Sequence, residues 1–136
     1  MTKVLVVSRV IPASREEVFA AWLDPEGMAE WMRPGPTTRT SVELDPRVGG
    51  KFRIVMYQGD RGEEHVGEYL AIEPPSRLQF TWISAHTHGQ RTIVTVELAE
   101  HPEGTEVTLT HRSLPESELE NHRGGWSDIL RLLSAT

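Results

Sequence analysis

Apolar and polar residues alternate with a period of two over most of the chain from residue 38 to residue 112. Short breaks that contain glycine or proline divide this region, as is typical of an antiparallel meander. The pattern predicts six strands, at Thr38–Asp45, Gly50–Gln58, Glu63–Ile72, Arg77–Ser84, Arg91–Glu100 and Thr105–Arg112.

The N-terminal part of the chain predicts one further strand and two short helices. Residues Lys3–Ile11 are rich in β-branched side chains and favour a strand. Ser14-x-x-Glu17 is a capping box, in which each side chain accepts a hydrogen bond from a free backbone N–H at a helix start. Asp24-Pro25 then predicts a second helix start, with proline at the first helical position.

The period changes to that of a helix at the C-terminal end. Trp126, Ile129, Leu130 and Leu133 fall on one face of a helix predicted over 118–133. A second capping box, Ser117-x-x-Glu120, is expected to start it, so that Gly124 and Gly125 lie inside the helix. Gly125 should leave a gap on the flank beside Trp126, whereas Gly124 should face solvent.

Alternation gives the sheet one apolar face and one polar face. The Glu63–Ile72 strand is ambiguous, because Val66 and Ile72 compete with His65 and Tyr69 for the inner face, and a bulge could place Tyr69 and Ile72 on the same side. The C-terminal helix should lie across the apolar face. A curved sheet cannot close fully on one straight helix, so we expect a space between them.

Composition restricts the class of protein. The chain has 136 residues, 38% of them apolar, which predicts one globular domain over 1–136. Its longest apolar run, Val18–Leu23, is far shorter than the roughly 18 residues of a membrane span, so we expect a cytoplasmic protein with no membrane contact. Zero cysteines exclude disulfides and thiolate ligands. A net charge of −6 without a basic cluster argues against nucleic acid as a partner.

Several segments together resemble a known superfamily. They are PASREEVFAAWLDPEGMAEWM, LDPRVGGKF, GEYLAIEPPSRLQFTW, VTVELAE, GTEVTLTH and HRGGW. In this order they resemble the START-related helix-grip (SRPBCC) superfamily over residues 8–133, in the AHSA-type branch named after the activator of the ninety-kilodalton heat-shock protein's ATPase. The resemblance implies an α+β fold in which a curved antiparallel sheet of six to seven strands wraps around a long C-terminal helix, with two short helices after the first strand. It also implies a ligand-sized cavity between sheet and helix.

Eight residues are predicted to line this cavity: Trp31, Phe52, Met56, Tyr69, Trp82, His111, His122 and Trp126. His111 points inward by strand parity, either to bind a ligand or move a proton, or as a hydrogen-bonded core residue. His122 lies on the inner stripe of the helix and could meet His111 or Tyr69. The aromatic residues suit an apolar pocket as well as simple core packing.

No catalytic residue, cofactor or metal site is predicted. His86-Thr87-His88 supports at most adventitious metal binding, and the GxSxG, HExxH, GxxxxGKS and GxGxxG motifs do not occur. The first hypothesis is therefore a non-enzymatic protein that binds a small apolar or amphipathic molecule, as a monomer or homodimer. Two alternatives stay open. One is a cyclase- or dehydratase-type enzyme in which His111, Tyr69 or His122 moves a proton, and the other is a chaperone-interaction module.

Overall fold

Seven antiparallel strands form one curved sheet in a computed structural model, which describes residues 2–136. Along the sheet the order is β1-β7-β6-β5-β4-β3-β2, so consecutive strands from β2 to β7 are neighbours and β1 adds to the edge of β7. The strands are β1 (Thr2–Ile11), β2 (Arg39–Leu44), β3 (Lys51–Gln58), β4 (Arg61–Glu73), β5 (Arg77–Trp82), β6 (Thr92–His101) and β7 (Gly104–Pro115). The predicted α+β fold and strand succession are confirmed.

Two short helices, α1 (Arg15–Ala21) and α2 (Pro25–Trp31), connect β1 to β2. The capping box at Ser14 and Glu17 is present with both of its hydrogen bonds. Pro25 occupies the start of α2 as predicted, although the Asp24 side chain makes no capping hydrogen bond. The sequence thus locates both helix starts.

The long helix α3 (Leu119–Ser134) runs through both glycines, as predicted. The second capping box is wrong, because Glu116–Glu118 forms a short 3-10 helix and places Ser117 inside that turn. Helix α3 therefore begins after Glu118, without a side-chain cap. It buries the predicted stripe against the sheet, with His122, Trp126, Ile129, Leu130 and Leu133 inside.

The ambiguity in β4 is resolved by a register shift between Tyr69 and Ala71. His65 and Tyr69 are both buried, and Ile72 packs against the same core beyond the irregularity. The inner face of β4 therefore carries His65 as well as Tyr69.

Most of the space between sheet and helix is filled by aromatic side chains. Trp22 and Trp31 contact edge to face with ring centroids 4.9 Å apart, and Phe52 and Phe80 pack at 5.5 Å. Only about 10 Å³ stays free in this part of the core, which is about the room of one water molecule. None of the helices within residues 2–136 is long and apolar enough to cross a bilayer.

Candidate functional site

A cleft of about 450 Å³ opens at the N-terminal half of α3. One wall is α3 itself, the opposite wall is formed by the ends of β3 and β4, and the third wall is the loop from Pro34 to Thr37. The side chains that form its floor are Met56, His65, Trp82, His122, Trp126 and Ile129. Polar side chains surround its mouth: Gln58, Glu63, His86, Glu120, Asn121 and Asp128.

The eight predicted cavity residues separate into two groups. Met56, Trp82, His122 and Trp126 line the cleft. Trp31, Phe52, Tyr69 and His111 do not; they are buried in the filled core beneath and beside it. The structure thus brings the first four together, and their role in ligand binding stays a prediction.

The loop wall is fastened to α3. The backbone N–H of Gly35 donates a 2.8 Å hydrogen bond to Oδ2 of Asp128. Thr37 closes the loop on itself, since its hydroxyl donates to the carbonyl of Pro34 over 2.7 Å. A carboxylate on the helix therefore holds the wall in place.

The two glycines of α3 are not equivalent, as predicted from their helical positions. A methyl group added at Gly125 would lie 3.7 Å from Cβ of Pro34, an ordinary contact with the loop wall. The same addition at Gly124 would meet no atom within 4 Å. Both line the cleft, but only Gly125 lies against the loop wall.

His111 lies at the centre of a linear chain of hydrogen bonds. The indole N–H of Trp126 donates to Nδ1 of His111 over 3.0 Å. Because Nδ1 accepts, the ring proton is on Nε2, which is 2.7 Å from the hydroxyl of Thr92. That hydroxyl in turn donates to the carbonyl of Trp82. Both ring nitrogens are therefore occupied, as expected of a hydrogen-bonded core histidine.

Burial keeps His111 uncharged. Its side chain is completely inaccessible, and this burial, together with the neighbouring His122, lowers its pKa to about 3. The imidazole rings of His111 and His122 meet edge to face with centroids 5.2 Å apart, so the predicted contact between them is confirmed. His111 supports the floor of the cleft from beneath and does not reach the cleft itself.

His65 and His122 contribute the two buried imidazoles of the floor. Nδ1 of His65 lies 3.3 Å from the carbonyl oxygen of Ile54, and Nδ1 of His122 lies 2.9 Å from that of Glu118. Burial lowers the pKa of His65 to about 4 and also lowers the pKa of His122. Both rings are consequently neutral at pH 7.

A set of contacts between imidazoles and carboxylates joins three elements at the mouth. Nε2 of His86 is 2.6 Å from Oε2 of Glu63, and Nδ1 of the same ring is 3.8 Å from Oε1 of Glu118. Nε2 of His88 is 3.4 Å from the other oxygen of Glu118. Within residues 2–136 no group of three or more ligating side chains could hold a metal ion. The pairs fasten the β5–β6 connection to β4 and to the start of α3.

Sequence reasoning missed three parts of the cleft. His65 could have been recognised from its alternation with Tyr69 in β4, but the register of that strand was ambiguous. No sequence pattern singles out Glu63, which lines the mouth beside His86. The Pro34–Thr37 loop carries no periodic signal, and its position depends on a contact with Asp128, 93 residues away in sequence.

Comparison with known proteins gives one family and a set of similar folds. The family model described as "Activator of Hsp90 ATPase homolog 1-like protein" matches residues 12–136. A search of curated proteins gave no match.

Three solved structures illustrate the fold similarity. Protein CV1439 from Chromobacterium violaceum is 26% identical with a TM-score of 0.86, over 97% of this chain and 94% of that one. CalU16 from Micromonospora echinospora is 26% identical with a TM-score of 0.76, over 98% and 73%. DynU16, a protein of the dynemicin biosynthetic locus, is 26% identical with a TM-score of 0.79, over 97% of this chain and 46% of that one.

Proposed function

Since this chain belongs to the family of Activator of Hsp90 ATPase homolog 1-like proteins, we propose that it binds a small amphipathic molecule in the cleft between α3, the β3–β4 ends and the Pro34–Thr37 loop. The observation that carries the proposal is the coexistence of a volume of about 450 Å³ with an aromatic floor and a polar mouth. Pockets for small molecules commonly measure about 300–1,000 Å³ and combine apolar walls with a few polar groups.

The floor offers a broad apolar surface. Trp82 and Trp126 pack against each other with ring centroids 5.1 Å apart, and Met56 and Ile129 extend the surface to either side. An apolar ligand body that covers this surface would release water from it, worth roughly 25 cal/mol per Å² buried. The apolar part of the ligand is therefore expected on the indoles, with its polar part toward the mouth.

Native mass spectrometry tests this proposal. The purified protein is incubated with a mixture of small amphipathic molecules, desalted and measured for retained mass. The matched variants are Gly125→Leu, which extends a side chain toward the loop wall, and Gly124→Ala, which adds a methyl group into open space. Retention by the wild type and by Gly124→Ala, with loss in Gly125→Leu, supports the proposal. Retention that is equal in all three proteins contradicts it.

A second candidate function, an enzyme of the cyclase or dehydratase type, is favoured by one contact. The 2.6 Å pairing of His86 with Glu63 at the cleft mouth is the arrangement in which a carboxylate orients an imidazole for proton transfer. His111 is less suited to that role, because both of its ring nitrogens are hydrogen-bonded. Burial raises the pKa of Tyr69, which disfavours its phenolate.

The two functions differ in the fate of the ligand. A ligand recovered with unchanged mass and unchanged chromatographic retention after incubation supports binding alone. A recovered product that has lost water or closed a ring, formed by the wild type and not by His86→Gln, supports the enzyme.

A further inference from the structure

The two buried histidines of the cleft floor have a fixed proton position. Nδ1 of His65 and Nδ1 of His122 each contact a backbone carbonyl oxygen, at 3.3 and 2.9 Å. A carbonyl oxygen only accepts hydrogen bonds, so each Nδ1 must carry the ring proton. Each neutral ring then has a bare lone pair on Nε2.

These two Nε2 atoms have no hydrogen-bond partner within residues 2–136. The side chains are 5% and 9% exposed, and both line the cleft. Each Nε2 atom keeps some accessible surface, so a hydrogen-bond donor on a ligand in the cleft can reach it. His111 shows the contrast, because its two nitrogens are both paired inside the protein.

The charged side chains around the cleft point to the same ligand chemistry. Those that line it as carboxylates are Glu63, Glu120 and Asp128, and none of the described lining residues is a lysine or arginine. Glu63 is paired with His86, and Asp128 with the N–H of Gly35. An anionic ligand would therefore meet negative charge without a cationic side chain to compensate.

From these contacts we infer that the cleft selects a molecule whose aromatic body carries a hydrogen-bond donor, a hydroxyl or amino group directed at Nε2 of His122 or His65, and rejects carboxylates. This inference rests on the proposed function, because it requires that the cleft binds small molecules. A site that hydrogen-bonds a ligand donor discriminates strongly against the analogue without it, since its own polar groups are then left unpaired.

Three probes of similar shape separate the possibilities: 2-naphthol, 2-methoxynaphthalene and 2-naphthoate. The first carries a donor, the second has the same oxygen without its hydrogen, and the third is a carboxylate. Isothermal titration calorimetry at pH 7.5 should give at least tenfold tighter binding of 2-naphthol than of the ether, and the weakest binding for 2-naphthoate.

Variants assign the preference to the histidines. His122→Phe and His65→Phe keep an aromatic ring and remove the acceptor, so one of them should reduce 2-naphthol binding to the level of the ether while ether binding is retained. His122→Gln restores an acceptor and should recover part of the preference if His122 is the partner. Retained ether binding shows that each variant is folded, and circular dichroism of the free variant checks this independently.

The outcomes distinguish this inference from the proposed function. Equal or tighter binding of the ether or of 2-naphthoate overturns the donor selectivity and leaves ligand binding intact. An unchanged naphthol preference in both phenylalanine variants overturns the assignment to the two histidines. Failure of all three probes to bind at millimolar concentration contradicts both the inference and the proposed function.

Discussion

The indole N–H of Trp126 donates a 3.0 Å hydrogen bond to Nδ1 of His111, which joins α3 to β7 beneath the cleft. Both side chains are almost completely buried, so neither group has water as an alternative partner. The bond fixes the ring proton of His111 on Nε2 and aligns it with Thr92. Trp126 therefore orients the hydrogen-bonded side chains of His111 and Thr92 beneath the cleft floor.

We expect Trp126→Phe to destabilise the protein by more than the same substitution at a buried tryptophan whose indole N–H makes no hydrogen bond. It leaves the buried Nδ1 of His111 without a donor, which costs about 1–3 kcal/mol beyond the change in packing. Trp22→Phe is the matched control, because Trp22 is equally buried and its indole N–H has no hydrogen-bond partner within residues 2–136. The measurement is urea unfolding of both variants, and equal destabilisation would contradict the role of the bond.

Stability should fall as the pH falls below about 6.5. Burial lowers the pKa of His65 to about 4 and that of His111 to about 3, whereas both are near 6.5 in an unfolded chain. Between these values the unfolded chain binds protons that the folded protein does not, so the free energy of unfolding decreases with decreasing pH. This contribution is fully present above about pH 6.5.

Urea unfolding at pH 7.5, 6.5 and 5.5 checks this dependence. The wild type should lose stability over this interval, by up to a few kcal/mol for the two histidines together. His65→Gln has no ring to protonate and should show a shallower slope. A slope that is unchanged in this variant would show that the low pKa of His65 does not contribute.

The hydrogen bond from Gly35 to Asp128 and the ion pair between Asp128 and Arg131 can be tested separately. Asp128→Ala removes the acceptor of the Gly35 N–H, so hydrogen exchange at Gly35 should accelerate and probe affinity should decrease. Asp128 also lies 3.7 Å from Arg131, and Arg131→Gln removes that ion pair while it keeps the loop contact. Equal acceleration in both variants would mean that the ion pair, and not the hydrogen bond, holds the wall.

Gly124→Ala is expected to stabilise the protein. The position is an exposed helix interior with open space around it, where alanine is favoured over glycine by about 1 kcal/mol. Gly125→Leu, in contrast, must fit its side chain beside Pro34 and should reduce ligand affinity. Thermal unfolding and calorimetric titration of the two variants would falsify this distinction if both changes had the same effect.

The sequence predicts the fold well because the fold depends on periodicity. Alternation located the strands of the sheet, and the stripe through Trp126 and Leu133 located α3 and carried it through the glycines. The predicted start of α3 lies within one residue of the observed start, but its capping box was wrong because Glu116–Glu118 forms a 3-10 turn that contains Ser117.

The cleft is harder to predict because it is the space that packed side chains leave unfilled. Strand parity places Phe52 and Trp82 on the same inner face, but only the fitted side chains show that Phe52 fills the core while Trp82 borders free space. His111 and His122 likewise share the inner face, and they differ in whether other residues reach their ring nitrogens. Such differences arise from long-range contacts that no local pattern encodes.

The four tryptophans allow the most direct test of the central claim, that the cleft binds a small donor-bearing aromatic molecule. In a ¹H–¹⁵N correlation spectrum titrated with 2-naphthol, the indole signals of Trp82 and Trp126 should shift saturably, while those of Trp22 and Trp31 in the filled core should stay in place. No saturable shift, or shifts confined to Trp22 and Trp31, would contradict the account.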